Sequence, residues 1–308
     1  LADLVTAWLP AAAAERAMGG LPAGVRADVW TGGTDLPASA GEVEIVIPPF
    51  PVQRPNLAAL ADLPRLRLIQ LQSAGAERVL PFVPPGVTLA TARGAHDGPV
   101  AEWVMSVVLA HLHDLPRFVL SQREQRWDFK LVGELSGKTV LILGYGSIGE
   151  ALARRLEGFD VSVLAVARRE RPGVSGLAEL PSLLPRADVV VLLVPVTPAT
   201  EKMVDAKFLA QLPDGALVVN AARGAVIDGD ALLAELAAGR LYAALDVTDP
   251  EPLPPGHPLW SAPGVIITPH VAGASGKPLV RAMAVAKAQL ARYVAGEPLL
   301  NVVGEGGY

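Results

Sequence analysis

Lys138-Thr139-Val140-Leu141-Ile142-Leu143-Gly144-Tyr145-Gly146-Ser147-Ile148-Gly149 is the stretch whose reading decides the fold. The apolar run Val140 to Leu143 reads as a buried strand, and helix-favouring residues from Glu150 to Glu157 follow the glycines at once. Gly-x-Gly-x-x-Gly therefore falls at a strand-to-helix turn, which is the setting a dinucleotide site requires. Gly144 makes the tight turn, Gly146 lets backbone approach a pyrophosphate, and Gly149 lets the helix close on the strand. The helix start, with Ser147 and Ile148, offers unpaired N–H groups to the anion. Glycine-rich turns also serve packing alone, so the flanking strand and helix give this motif its weight.

The same alternation continues on both sides. Downstream, Val161 to Val166, Asp188 to Val194, Ala216 to Asn220, Leu241 to Val247 and Val265 to Thr268 read as strands. Leu177 to Leu184, Ala206 to Leu212 and Asp230 to Ala238 read as helices between them. This order implies a Rossmann-type doubly wound parallel sheet with helices on both faces. Upstream, Leu4 to Leu9, Val25 to Trp30, Val43 to Ile47, Leu66 to Leu71 and Val87 to Thr91 are short apolar runs between turns, the marks of a smaller α/β unit. A helix is expected at Asn56 to Asp62, and Val100 to Arg117, apolar at helical spacing, reads as one long helix. Ser121 to Leu135 is polar and irregular; a last helix, Pro278 to Ala295, precedes the apolar tail Leu299 to Val303. No repeat of fixed period and no low-complexity linker is present.

A chain of 308 residues suits two domains. Its net charge of −5 gives no reason to invoke nucleic acid or an anionic membrane surface. The absence of cysteine excludes disulfides, thiolate metal sites and a cysteine nucleophile, and no metal site is expected. Asp3, Glu15 and Arg16 interrupt the apolar N-terminal run without a basic leader before it, and no segment approaches about 18 uninterrupted apolar residues. Cytoplasm is the expected compartment, and the chain begins with Leu1 rather than Met.

Sites in open α/β sheets lie at the carboxyl ends of the strands. Past Val218-Val219 stands Asn220-Ala221-Ala222-Arg223-Gly224-Ala225-Val226-Ile227-Asp228, which sets a guanidinium above the sheet, where it can grip a carboxylate with two parallel hydrogen bonds. Past Leu245 stand Asp246 and then Asp249-Pro250-Glu251-Pro252; past Ile266-Ile267 stands Thr268-Pro269-His270, followed by Val271-Ala272-Gly273-Ala274. Taken singly, a loop arginine is a solvated charge and acids beside prolines make polar turns. His96, His111, His113 and His257 keep the plain reading of surface or core residues. Unlike polar groups at successive strand ends are a different matter, because the fold brings those ends together.

These segments, with Gly144 to Gly149, Pro258-Leu259-Trp260, Val100-Ala101-Glu102 and Gly296-Glu297-Pro298-Leu299-Leu300-Asn301-Val302-Val303, resemble the D-2-hydroxyacid dehydrogenase family in order and spacing over nearly the whole chain. The resemblance implies a cofactor domain, 98–276, inserted into a discontinuous, flavodoxin-like substrate domain of 1–97 and 277–308, with substrate in the cleft between them. It implies reduction of a small 2-keto acid, glyoxylate or hydroxypyruvate as first guess, to the D-2-hydroxy acid by hydride transfer. In this scheme Arg223 binds the substrate carboxylate and polarises the carbonyl, and His270 donates the proton. Glu251, against the other ring nitrogen, favours imidazolium and fixes the ring. Asp246 matches the aspartate near the nicotinamide carboxamide, and Val194, Pro195, Ala221, Arg223, His270 and Gly273 complete the cofactor surroundings. Ser73-Ala74-Gly75 sits where a substrate-binding loop gives backbone N–H groups to the carboxylate; a simple tight turn after a strand is the other reading. A homodimer through the cofactor domain is implied, with the long helix from Val100 as its candidate surface.

Twenty-three positions past Gly144, where an acidic residue would select NAD, stands Ala167, followed by Arg168-Arg169. Two guanidiniums without an acid suit a 2′-phosphate, so NADP(H) is expected in preference to NAD(H); exposed, idle arginines are the alternative. An aromatic residue usual after Asp-Val is missing from Val247-Thr248-Asp249-Pro250-Glu251, and Trp260 either lines a neighbouring subunit's site or belongs to core or interface. Glu251 speaks against a formate-oxidising relative, and the absence of lysine from Gln70 to Val79 against a phosphite-oxidising one. A non-catalytic, dinucleotide-sensing scaffold resembling the C-terminal binding protein corepressors keeps the same three residues; the compact C-terminus, ending soon after Val303, favours the enzyme.

Overall fold

The computed structural model describes residues 4–49, 56–274 and 278–304. Two compact units are built, Leu1–His96 with Gly276–Tyr308 and Asp97–Ser275. In the first, β1 (Val5–Leu9), β2 (Val25–Val29), β3 (Val43–Val46), β4 (Leu68–Gln70) and β5 (Thr88–Ala90) form a parallel sheet in the order β2-β1-β3-β4-β5, the flavodoxin-like arrangement. Successive side chains of a strand face opposite ways, and here both faces are covered. Ala7 and Leu9 join Ile45 and Leu68 against Ala14 of helix α1 (Ala12–Ala17) and against Met283 and Leu290 of the helix Pro278–Val294. Trp8, between them in sequence, packs on the opposite side with Trp30, Val46, Leu60 and Ile69. That double burial is why β1 reads as an almost unbroken apolar run.

The C-terminal tail is more than an apolar extension. Val303 N–H donates to the Leu89 carbonyl at 2.8 Å, Thr91 N–H donates to that of Asn301 at 3.0 Å, and Val302 bridges Ala90 in antiparallel sense. It thereby covers the free edge of β5. Between β3 and β4 the expected helix is the 3₁₀ segment Leu57–Asp62.

The second unit holds β6 (Thr139–Leu143), β7 (Ser162–Val166), β8 (Val189–Leu192), β9 (Leu217–Asn220), β10 (Tyr242–Leu245) and β11 (Val265–Ile267), all parallel, in the order β11-β10-β9-β8-β6-β7. Helices α2 (Asp97–Leu112) and α4 (Ser147–Leu156) cover Val140, Ile142, Val191 and Val219, with α3 (Leu115–Arg123) between them in sequence. Leu141, Leu143, Val190 and Val218 face the other way, toward Leu183 of α5 (Leu180–Leu183), Phe208 of α6 (Ala206–Leu209) and Leu236 of α7 (Gly229–Ala237). Beyond β7, where a doubly wound sheet adds a further strand, the chain makes isolated bridges, Ser175 to Val166 and Arg171 to Val174. The sheet reverses direction between β6 and β8, so its switch point lies just past Leu143 and Leu192.

One expectation is corrected. The long helix from Val100 to Arg117 is broken: Asp114 takes a left-handed conformation, φ 52°, and Pro116, which lacks an N–H, sits in the first turn of the separate helix α3. On α2, Ala101, Val104, Met105, Val107 and Val108 are buried in their own unit's core, while Glu102 and Ser106 on its other face are exposed. Large exposed apolar side chains follow α2: Leu120 on α3, then Trp127, Phe129 and Leu131, which are 97, 82 and 83% exposed. Among the described residues no helix is long and apolar enough to cross a membrane.

His111, near the end of α2, packs against the Tyr242 ring with centroids 4.6 Å apart and the planes tilted by 51°. Burial holds its pKa below the ordinary 6.5, partly opposed by Asp114. The unfolded chain therefore binds a proton that the folded one resists, so this residue costs nothing well above pH 6.5 and destabilises the fold increasingly as pH falls below that value. His111→Phe is expected to shrink the drop in Tm between pH 7.5 and 5.5; an equal drop in parent and variant would refute the assignment.

Candidate active site

Gly144 follows β6 with φ 105°, and a Cβ there would come within 2.7 Å of Leu193 O and Val194 N. Only glycine fits where the turn meets the end of β8. At Gly149 a Cβ would stand 3.1 Å from Gly144 O and 3.3 Å from Ile142 Cγ2, so helix and strand lie as close as that position permits. Gly146 is the extended N-cap of α4, with no side chain capping it. The N–H groups of Ser147, Ile148 and Gly149 precede the first helical bond, from Glu150 N–H to Gly146 O, and form an anion cradle suited to a pyrophosphate. The dinucleotide thus fits this chain on backbone grounds. Ser147 Oγ meanwhile donates to Asp97 Oδ1 at 3.1 Å. Val194 is buried and Pro195 half-buried beside the same switch point, the Pro195 carbonyl accepting from Thr200 Oγ1 at 2.6 Å.

Arg168 and Arg169 are exposed on the loop after β7. Arg171, which sequence reasoning passed over, is the arginine with contacts to the glycine-rich turn. Its Nη2 donates to Tyr145 O at 2.6 Å, its guanidinium lies 5.6 Å from the Tyr145 ring centroid, and Glu150 is 3.4 Å away. The only signal for it was a third basic residue in Arg168-Arg169-Glu170-Arg171.

The polar groups expected past β9, β10 and β11 stand at the ends of three neighbouring strands. Past β9, the buried Asn220 shapes the loop: its Oδ1 accepts Ala222 N–H at 3.0 Å and its Nδ2 donates to Arg223 O at 3.0 Å. Arg223 is half-buried and Nη1 donates to Ala222 O at 2.6 Å; Ala221 is half-buried beside it. Gly224 abuts the backbone of Thr248 and Asp249, so a side chain there would force the loops after β9 and β10 apart.

His270 and Glu251 meet directly. Nδ1 lies 2.8 Å from Glu251 Oε1, and the two side chains are 44 and 28% exposed. An ionised carboxylate can only accept, so Nδ1 carries a proton and Nε2 is the nitrogen left to give or take one. Asp246, expected beside the nicotinamide carboxamide, is 3% exposed and accepts from Thr268 Oγ1, Val271 N–H and Ala272 N–H at 2.6 to 2.8 Å. Gly273 is half-buried at the end of that loop, and Trp260 is 54% exposed with Nε1 donating to Pro254 O.

In the other unit, Ser73, Ala74 and Gly75 follow β4 and are half-buried. The turn is pinned at several points: Ser73 Oγ donates to Gly75 O at 2.7 Å, Ala92 N–H donates to Ser73 O at 2.8 Å, and Gln72 Nε2 donates to Pro48 O at 2.7 Å. His96, given a plain reading from sequence, is buried with Nε2 donating to Gln72 O at 2.8 Å, one residue before the turn. No sequence pattern announced that contact, which joins residues 24 apart.

Residues 105–272 match the family model for the NAD binding domain of D-isomer specific 2-hydroxyacid dehydrogenases. The chain belongs to this family. A glyoxylate reductase of Thermofilum pendens is 32% identical over 249 residues, 76% of this chain and 74% of the relative. Among solved structures, a D-isomer specific 2-hydroxyacid dehydrogenase from Xanthobacter autotrophicus, in complex with NADPH and MES, superimposes with a TM-score of 0.83 at 30% identity over 98% of both chains. An NADPH-dependent glyoxylate/hydroxypyruvate reductase of Sinorhizobium meliloti, solved with NADP and sulfate, gives 0.84 at 27% identity over 99% of this chain and 100% of that one. The protein is a 2-hydroxyacid dehydrogenase with a Rossmann NAD(P)-binding domain, an oxidoreductase acting on CH–OH groups.

Proposed function

We propose that this dehydrogenase reduces a small 2-keto acid, of the glyoxylate or hydroxypyruvate kind, to the D-2-hydroxy acid, and that it prefers NADPH to NADH. The observation that carries the reading is the contact of His270 Nδ1 with Glu251 Oε1 at 2.8 Å, which commits one ring nitrogen to orientation and leaves Nε2 for the proton. When bound, the nicotinamide supplies a hydride to the carbonyl carbon. His270 Nε2 gives its proton to the carbonyl oxygen, Glu251 stabilises the ring while it is cationic, and Arg223 holds the carboxylate through charge-assisted bonds. Backbone N–H groups of Ser73, Ala74 and Gly75 are the further carboxylate ligands in this scheme. Residues 98–276 serve as the dinucleotide-binding domain, and 1–97 with 277–308 as the substrate domain. The names of the Thermofilum pendens and Sinorhizobium meliloti relatives support the substrate class.

The cofactor preference rests on Ala167 in the position of the acidic selector, with exposed Arg168 and Arg169 beside it. No acid stands at position 167, and two guanidiniums can bind a 2′-phosphate. NADPH and NADP in the two solved relatives support the same choice. A homodimer is proposed through Trp127, Phe129 and Leu131, which alternate with Asp128 and Lys130. Asp128 is paired with Arg117 at 2.8 Å and Arg126 at 2.6 Å, and Lys130 with Asp114 at 2.7 Å, so the charges fold back while the apolar residues project. Such a patch is what a second copy covers.

Glyoxylate or hydroxypyruvate is expected to be reduced with NADPH, and His270→Ala to lower kcat by about 10² to 10⁴-fold with the cofactor still bound; undiminished turnover would overturn the mechanism. Arg168→Ala with Arg169→Ala should cut the NADPH-to-NADH ratio of kcat/KM roughly tenfold or more, since each charged hydrogen bond contributes about 1.5–3 kcal/mol, whereas a parent enzyme that favours NADH refutes the selector. Light scattering should find a dimer that Trp127→Glu converts to monomer; a monomeric parent at micromolar concentration contradicts the proposed surface.

A further inference from the structure

His96 is 8% exposed, and its Nε2 lies 2.8 Å from Gln72 O. A carbonyl only accepts, so Nε2 carries the proton and donates it. The peptide joining Gln72 to Ser73 is trans and planar, so its C=O and N–H point in opposite directions. With Gln72 O held against the imidazole, Ser73 N–H is turned away from it. The next peptide is held in the same way: Ser73 O accepts Ala92 N–H at 2.8 Å, which directs Ala74 N–H away from Ala92. Ser73 Oγ closes the turn on Gly75 O at 2.7 Å. Among the described residues no acceptor takes the N–H of Ser73, Ala74 or Gly75. Successive backbone N–H groups left in this way make a cradle for an anion.

We infer that His96 is a positioning residue for the substrate carboxylate: by holding Gln72 O it fixes the peptide whose N–H, that of Ser73, opens the turn's row of donors. The side chain meets a need that nearby backbone does not. Gln72 lies two residues past the end of β4, and the segment its Nε2 reaches, at Pro48 O, is Pro48-Pro49, which has no N–H to return. An imidazole 24 residues further along the chain supplies the donor instead. Without it a buried acceptor is left unpaired, and the peptide is free to turn toward another donor, taking Ser73 N–H out of line. Bonds to the carboxylate are made alike in the ground state and the transition state, so their loss falls on KM more than on kcat.

The inference rests on the carboxylate role proposed for Ser73, Ala74 and Gly75, and the experiment separates the two. His96→Leu, which removes the donor, and His96→Gln, which keeps an N–H at similar reach, are made in the full chain; if His96→Leu does not fold, His96→Phe takes its place. Each is assayed with glyoxylate or hydroxypyruvate, whichever the parent reduces faster, and with oxamate, an unreactive carboxylate analogue of a 2-keto acid, as inhibitor. Nucleotide Kd is followed by the fluorescence of NADPH or NADH, whichever the parent uses better. Amide hydrogen exchange of the peptide spanning 72–76 is measured with nucleotide, before and after oxamate is added. We expect His96→Leu to raise KM and the oxamate Ki together by about tenfold, as for one buried acceptor left unpaired, with kcat and nucleotide Kd within about threefold of the parent. His96→Gln should restore both constants to within about threefold, and oxamate should protect 72–76 in the parent and in His96→Gln but much less in His96→Leu. A KM and Ki within about threefold of the parent in His96→Leu, an equal rise in His96→Gln, or a nucleotide Kd that rises as much as KM overturns the inference and leaves the carboxylate role of the turn standing. Absence of oxamate protection over 72–76 in the parent removes that role and the inference with it.

Discussion

Register between three parallel strands is the constraint on which this protein's chemistry depends. Leu245 of β10 pairs with Asn220 of β9 on one side and Ile267 of β11 on the other, so the strands end level and the loops that leave them start as neighbours. That register is enforced by burial on both faces. Ala243 and Leu245 belong to one core and Ala244 to the other, and a slip of one residue would exchange them. The loops that carry Arg223, Glu251 and His270 therefore start as neighbours because of hydrophobic packing several residues away from any of them.

At these strand ends the polar residues divide by burial. Asn220 and Asp246 are 1 and 3% exposed, and each spends its hydrogen-bonding groups on loop backbone. Arg223, Glu251 and His270 emerge beyond them into more exposed positions. The buried pair satisfies backbone groups that would otherwise lie unpaired where the sheet stops, which is the common reason for polar residues inside a protein. The more exposed set is left with the capacity to bind and to exchange protons. The glycine-rich turn follows the same logic without side chains: Gly144 allows backbone contact with Leu193 and Val194, and the uncapped N-terminus of α4 presents its N–H groups.

Most strands were readable from the chain because they are short apolar runs buried on both sides, and each of the eleven among the described residues falls within or beside a run marked in the sequence, although β2 alternates Arg26 and Asp28 with apolar residues. The helix from Val100 was misread at its end because spacing of apolar residues says nothing of a backbone reversal; Asp114 at φ 52° and Pro116 decide it. Trp127, Phe129 and Leu131 lie in a stretch that reads as polar and irregular, and only their exposure of 82 to 97% reveals the patch.

What the sequence determined by itself was the alternation of strand and helix, the glycine turn and the identities of the groups past the strand ends, because these follow from local pattern and from steric needs within a few residues. Tertiary structure alone decided the direction each polar side chain faces. Asp246 turns into the loop of His270, Arg171 reaches the carbonyl of Tyr145, and His96 holds that of Gln72. Each of those contacts joins residues at least 24 apart in the chain, where no periodicity or local propensity reaches, and only the packing of the sheet sets the distance between them.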